Sequence, residues 1–277
     1  MKSEMNVLDV NGASLRYRVT GSGPPLVFVH NAGSDHHNWD AQVAHFAPTH
    51  TVYAVDMLGY GASDPARPQK LELHVEALRQ LLESLELEAV RLVGHCVGAA
   101  AAWRYASQHP ERLGALVLFT PATERTLLAG MFGPLYRAGR RSLLLHKAAL
   151  ASTRATTGLA GVRRLAIGTM FGKGKPPAEY VEHASELWGR PGAMDTLADL
   201  LLHFESFAVL DRLERPAVFP RTCLLWGTRN RVLPIRTMEE VRARLAPDSV
   251  VVLEGRGHLC MVEAPDEVNA ALDAFLT

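Results

Sequence analysis

Short apolar runs separated by segments of helical period dominate the chain. Leu26-Val27-Phe28-Val29, Val52-Tyr53-Ala54-Val55, Val90-Arg91-Leu92-Val93, Leu116-Val117-Leu118-Phe119, Thr222-Cys223-Leu224-Leu225-Trp226 and Val250-Val251-Val252-Leu253 are brief, rich in β-branched residues and bounded by turn formers. That pattern predicts parallel strands buried on both faces. Ahead of them, the strand-like runs Asn6 to Val10 and Ala13 to Val19 flank Asn11-Gly12, a pair that favours a type I′ hairpin. Apolar residues recur with helical spacing over Leu71 to Leu85, Val97 to Gln108, Ile235 to Leu245 and Pro265 to Leu276. Strand and helix alternate, so the expected fold class is α/β: a mostly parallel, doubly wound sheet of about eight strands opened by an antiparallel hairpin.

The alternation fails between Pro121 and Arg212, where helical stretches follow one another without a convincing strand. An insertion there reads as a helical cap (121–212) on a core made of 1–120 and 213–277, placed over the C-terminal edge of the sheet where open α/β sheets bind ligands. At 277 residues and 48% hydrophobic content the chain can bury a core of that size. Lys+Arg and Asp+Glu both number 29, so net charge gives no sign of a nucleic-acid binder. The balance hides an asymmetry: ten Lys or Arg and no Asp or Glu lie between Arg125 and Lys175. Two readings stay open, a solvated helix face or attraction of an anionic substrate, an acidic carrier protein or a membrane surface. The sequence shows neither a charged-then-apolar leader nor an apolar run near the roughly 20 residues that span a bilayer, so a cytoplasmic location is expected. Cys96, Cys223 and Cys260 make an odd count without zinc-ligand spacing, and free thiols are expected.

In Leu92-Val93-Gly94-His95-Cys96-Val97-Gly98-Ala99 an apolar strand runs into a small-residue helix, with glycines two before and two after the cysteine. This is the pattern of a nucleophile elbow, a strained strand-to-helix turn that exposes its central side chain and has no room for neighbouring Cβ atoms. A helix N-terminus presents free N–H groups and the positive dipole end, which predicts a lowered thiol pKa at Cys96. The competing reading is an inert buried cysteine.

Beyond the elbow, four further segments occur in order: Val29-His30-Asn31-Ala32-Gly33-Ser34, Asp56-Met57-Leu58-Gly59-Tyr60-Gly61-Ala62-Ser63, Trp226-Gly227-Thr228-Arg229-Asn230-Arg231-Val232-Leu233-Pro234 and Gly255-Arg256-Gly257-His258. With the elbow they make the chain resemble, over nearly its whole length, the α/β-hydrolase superfamily in its small capped branch of esterases, thioesterases and carbon–carbon bond hydrolases. The resemblance implies that His258 is the general base and that the N–H groups of Ala32 and Val97 form an oxyanion hole, each donor typically worth about 3 kcal/mol. Asn31 stands where the family usually has glycine, and asparagine tolerates positive φ. Asp56 reads as architectural. The family's triad aspartate is replaced by Asn230, and serine by Cys96. A thiol is far more acidic than an alcohol, so the two departures make joint sense as a Cys96-His258-Asn230 site in which an amide oxygen orients the ring. Glu124 is an alternative carboxylate, and loss of activity on an enzyme scaffold is another account.

These residues predict a hydrolase or acyltransferase acting on a small ester or thioester through an acyl-Cys96 intermediate, with a catalytically reduced ligand-binding homologue or a cofactor-free lyase or isomerase as alternatives. An acyl carrier protein or a coenzyme A thioester fits the basic cap run. No cofactor is expected, and no histidine or cysteine spacing implies a metal. Met131, Phe132, Tyr136, Met170, Phe171 and Trp188 are candidate pocket liners. Cys260 reads as packing, and Cys223 as part of a core strand.

Overall fold

A computed structural model describes residues 5–142, 144, 151, 158–174 and 176–276. Eight strands form one sheet in the order β1-β2-β4-β3-β5-β6-β7-β8. They are β1 (Asn6–Val10), β2 (Ala13–Thr20), β3 (Pro25–Val29), β4 (Thr51–Asp56), β5 (Val90–His95), β6 (Leu113–Phe119), β7 (Arg221–Gly227) and β8 (Ser249–Leu253). Only the β1–β2 and β2–β4 pairings are antiparallel. The hairpin closes at Val10 and Ala13, with positive φ at both Asn11 (52°) and Gly12 (86°). Those are the two dihedrals a type I′ turn needs.

The middle strands carry no polar alternation because helices cover both faces. Leu26, Val27, Phe28, Leu92, Val93, Leu116, Val117, Leu118 and Leu224 are buried without remainder or nearly so. Trp39 stacks on Phe28 at 4.9 Å between centroids and meets Phe119 edge-on at 5.5 Å, which joins the segment after β3 to the sheet. The covering helices include α1 (Asp40–Phe46), α2 (Leu71–Ser84) and α3 (Val97–Gln108). Alanines at 99–102 are fully buried in α3, and their small size lets the helix lie close to β5.

Between β6 and β7 the described residues form helices α4 (Glu124–Ala129), α5 (Gly133–Arg141), α6 (Ala160–Gly168), α7 (Ala178–Gly189) and α8 (Ala193–His203). They are tied to the core by specific polar bonds. Asp199 accepts from Gln69 N at 2.6 Å, and Ser206 Oγ accepts from Leu71 N at 3.0 Å. Lys173 N donates to Gly255 O at 2.8 Å, and His258 N to Met170 O at 2.7 Å. Lys147, Arg154 and Lys175 of the basic run lie outside the described residues, as do the side chains of Arg140 and Arg141. The chain closes with α9 (Met238–Leu245), α10 (Cys260–Glu263) and α11 (Pro265–Leu276). Among the described residues no helix is long and apolar enough to cross a membrane. All three cysteines are free and buried, Cys223 in β7 and Cys260 in α10.

Candidate active site

The loops carrying the sequence-marked residues leave the C-terminal ends of β3, β5, β7 and β8. Cys96 sits between β5 and α3 with φ 53° and ψ −108°, a strained conformation for a residue with a Cβ. The turn is held from three sides. Cys96 N donates to Phe119 O at 3.0 Å, and Cys96 O accepts from Ala100 N at 2.9 Å and Ala122 N at 3.0 Å. A Cβ on Gly94 would meet Gly98 O at 2.6 Å, and one on Gly98 would meet His30 O at 2.4 Å. Both glycines are therefore required by backbone packing, not by flexibility.

The thiol environment differs from the sequence expectation. Burial pushes Cys96 up to about 12, and the Val97 N–H only partly counters it. The helix terminus is present, but 6% exposure removes the water that would solvate a thiolate. Burial also lowers His258 to about 3. The resting pair is a neutral thiol and a neutral imidazole.

Asn230 reaches His258, with Nδ2 at 3.2 Å from Nδ1. Its Oδ1 is already occupied, accepting the Leu233 N–H at 2.9 Å. Turning the amide over would set its NH2 against that backbone donor, so hydrogen-bond accounting fixes the orientation. The amide therefore donates to Nδ1, and the ring carries its proton on Nε2. The sequence expectation had the amide oxygen facing the ring; the structure places the nitrogen there because the loop backbone takes the oxygen first. A carboxylate would accept from both donors. Glu124 heads α4, next to its capping residue Thr123, and Asn230 is the side chain bonded to His258.

Ala32 follows β3, partly buried, and Asn31 Nδ2 donates to its carbonyl at 3.0 Å. Asn31 does not use left-handed backbone; Gly33 does, at φ 78°. Asn31 instead acts through its side chain, whose oxygen accepts from Asn38 Nδ2. Helix α7 grips the same loop. Trp188 Nε1 donates to Gly33 O at 2.7 Å, Tyr180 Oη to Asn38 Oδ1 at 2.6 Å, and His183 Nε2 lies 2.8 Å from Asp35 Oδ2. Trp188 is thus a clasp on the loop as well as a pocket liner. Asp56, fully buried, accepts from His36 N at 2.7 Å and Ala62 N at 2.8 Å, an architectural role.

Two site residues, His95 and Tyr60, are given no role by the sequence reading, and Tyr136 is named there only as a pocket liner. His95 is fully buried with its ring 4.4 Å from that of His258, and burial followed by the His258 charge holds it well below the ordinary histidine range. Its adjacency to Cys96 was the available signal. Tyr60 has a buried hydroxyl without a partner among the described residues. Burial raises both Tyr60 and Tyr136, and the Cys96 charge adds to each. Of the other candidate liners, Met170 and Phe171 are buried, Phe132 is partly buried and Met131 is exposed. A cleft of about 250 Å³ runs between Gly33, Ser34 and Tyr60 on the core side and Trp188, Pro191 and Leu197 on the cap side. A larger one of about 520 Å³ is lined by Asn230 together with Arg229, Arg231 and Arg236.

A family model described as alpha/beta hydrolase fold matches residues 24–265, which takes in the elbow, the Asn230 loop and His258. The chain belongs to the α/β-hydrolase family. Among relatives, an uncharacterised protein of Mycobacterium tuberculosis is 27% identical over 278 residues, 96% of this chain and 79% of that protein. The dihydrolipoyllysine-residue acetyltransferase component of an acetoin cleaving system from Pseudomonas putida is 27% identical over 274 residues, 97% of this chain and 68% of that protein. The solved structure of an N-acyl homoserine lactone degrading enzyme superposes with a TM-score of 0.78 at 20% identity, over 98% of this α/β-hydrolase chain and 100% of the other. At that identity the likeness speaks for the fold.

Proposed function

We propose that this α/β-hydrolase is a cysteine-dependent acyl-transfer enzyme acting on a small ester or thioester, with water or a thiol or amine as the acceptor. The observation that carries the reading is the strained elbow, which holds Cys96 at a helix N-terminus beside the Val97 N–H. Cys96 Sγ attacks the carbonyl carbon while its proton passes to His258. The carbonyl π pair moves to oxygen, where the Val97 and Ala32 N–H groups receive it. Collapse expels the alkoxide or thiolate, protonated by His258, and leaves an acyl-Cys96 thioester. The 250 Å³ cleft, lined by Gly33 beside the Ala32 N–H and by Tyr60, is the space we assign to the substrate. Relatives named as a lipase from Mycobacterium tuberculosis and as an acetyltransferase component agree with carbonyl chemistry of this class. A coenzyme A thioester or an acyl carrier protein remains the partner that the basic cap run favours.

The proton step has a cost built into it. His258 accepts at Nε2 only in the tautomer with its proton on Nδ1, and the Asn230 amide must then turn and release the Leu233 N–H. Leaving that buried donor unpaired costs roughly 1–3 kcal/mol. The same observation favours a second reading, a ligand-binding homologue in which His258 donates from Nε2 and the thiol stays protonated.

Intact-mass analysis with activated esters and acyl-pantetheine thioesters separates the two. An acyl adduct on Cys96, absent in Cys96→Ala together with about 10³-fold or more of the turnover, is expected for the enzyme. Saturable ligand binding with no adduct and no sensitivity to Cys96→Ala would establish the binding protein instead.

A further inference from the structure

At the seam between the β3 loop and helix α7, three imidazoles meet three carboxylates. The His36 and His37 rings lie 4.1 Å apart, and those of His37 and His183 4.6 Å. Asp35 is 4% exposed, and its Oδ2 is 2.8 Å from His183 Nε2. Asp35, His36 and His37 each offer a donor atom, all within 4.8 Å of one another. A carboxylate stands behind each of two rings: Asp56 Oδ1 is 2.9 Å from His36 Nδ1, and Asp40 Oδ2 is 2.7 Å from His37 Nδ1. Those bonds leave Nε2 as the open donor of each ring. Carboxylate-backed imidazoles of this kind are how proteins orient and strengthen metal-binding histidines. Arg18, 3.6 Å from Asp40, is the arginine paired with this group among the described residues.

We propose that Asp35, His36 and His37 bind one divalent transition-metal ion of the zinc class, with the His183 ring turning from its bond to Asp35 onto the ion as fourth ligand. Imidazole nitrogen with a single carboxylate is a donor set for zinc, nickel or cobalt, and too poor in oxygen for calcium or magnesium. The ion replaces the hydrogen bond between His183 and Asp35 with two bonds to metal, so it clasps α7 to the loop that carries Ala32. Consecutive ligands in Asp35-His36-His37 explain why spacing rules passed over the site: the fourth donor comes from another element 146 positions on from His37, as 183 − 37.

The full chain, freed of metal with a chelator, is titrated with zinc by calorimetry and with cobalt by visible absorption. Wild type and Cys96→Ala are expected to bind one equivalent alike, with a cobalt spectrum free of sulfur-to-metal charge transfer. His37→Gln and His183→Gln, both at partly exposed positions and checked for an intact fold by circular dichroism, are expected to lose about tenfold or more in affinity. Zinc is expected to raise the thermal midpoint of wild type more than that of either variant at the same zinc concentration. Absence of binding, full affinity in either histidine variant, or loss of binding in Cys96→Ala overturns the site.

Discussion

The two ends of the candidate site teach different things. At the elbow, every local sign agrees with the geometry: glycine at 94 and 98, strand before, small-residue helix after, and positive φ at Cys96. At the other end, Asn230 and His258 meet as their positions in the chain implied, yet the atoms that face each other are the reverse of those expected. A motif places residues. Which atom of an amide faces a ring is decided by what else that amide must satisfy, here the Leu233 N–H.

The sharpest break of this comparison is Asn230→Asp. A carboxylate accepts from Leu233 N–H and His258 Nδ1–H together, fixes the base-competent tautomer and stabilises the imidazolium. If Asn230 holds the ring in the wrong tautomer, single-turnover acylation by activated ester rises about 10²–10³-fold. That range lies below the ten-thousand-fold effect of the reverse change in trypsin, since a thiol needs less help than an alcohol. A rate unchanged or lowered in Asn230→Asp, with the fold intact by circular dichroism, would falsify the tautomer account.

The elbow's side of the comparison is tested by Gly98→Ala. The new methyl would sit 2.4 Å from His30 O and 2.6 Å from Val29 O, both backbone atoms that cannot step aside singly. A loss of about 2–3 kcal/mol in urea unfolding is expected, in the upper range for overpacking. A near-neutral result would mean that β3 and α3 separate easily, and the elbow would then be less rigid than its dihedrals imply.

Buried imidazoles give the next effect. His74 and His258 are both lowered by burial from 6.5 to about 3, and His74 has no hydrogen-bond partner among the described residues. Between those pH values the unfolded chain binds protons that the folded state refuses. Their stabilisation is complete above pH 6.5 and is lost as pH falls through the window, at about 2 kcal/mol per histidine between pH 6.5 and 5. Urea unfolding of wild type at both pH values should show that drop, and His74→Leu should remove His74's share of it. Equal pH dependence in the two proteins would show that the His74 ring is hydrated and titrates freely.

Much of the fold was legible because the signal was local. Apolar runs such as Leu26-Val27-Phe28-Val29 report burial on both faces, and Asn11-Gly12 reports its own turn. Cys96, Asn230 and His258 were legible as positions on the loops that leave β5, β7 and β8. The thiol's pKa was not, because the sequence shows the helix terminus but not the burial that overrides it. Tyr60 and Tyr136 both feel the Cys96 charge from segments 76 positions apart, as 136 − 60, with no shared period to link them. The grip of α7 on the β3 loop was equally hidden. Trp188 reads only as a pocket liner, and Tyr180 and His183 as ordinary helix residues, until their partners Gly33, Asn38 and Asp35 are in place.

That grip supplies the smallest effect. Trp188→Phe keeps the ring's apolar bulk and removes the one bond its indole makes to Gly33 O at 2.7 Å. Gly33 is partly exposed, so water can replace the lost donor, and the stability cost should stay near 1 kcal/mol or below. The catalytic consequence is separable from that cost. If α7 positions the Ala32 N–H for the developing oxyanion, the variant loses a transition-state interaction, so kcat should fall a few-fold with KM little changed. If Trp188 only lines the cleft, KM should rise while kcat holds. The split between the two constants therefore decides whether the cap acts on the chemistry through the β3 loop or only on what enters the cleft.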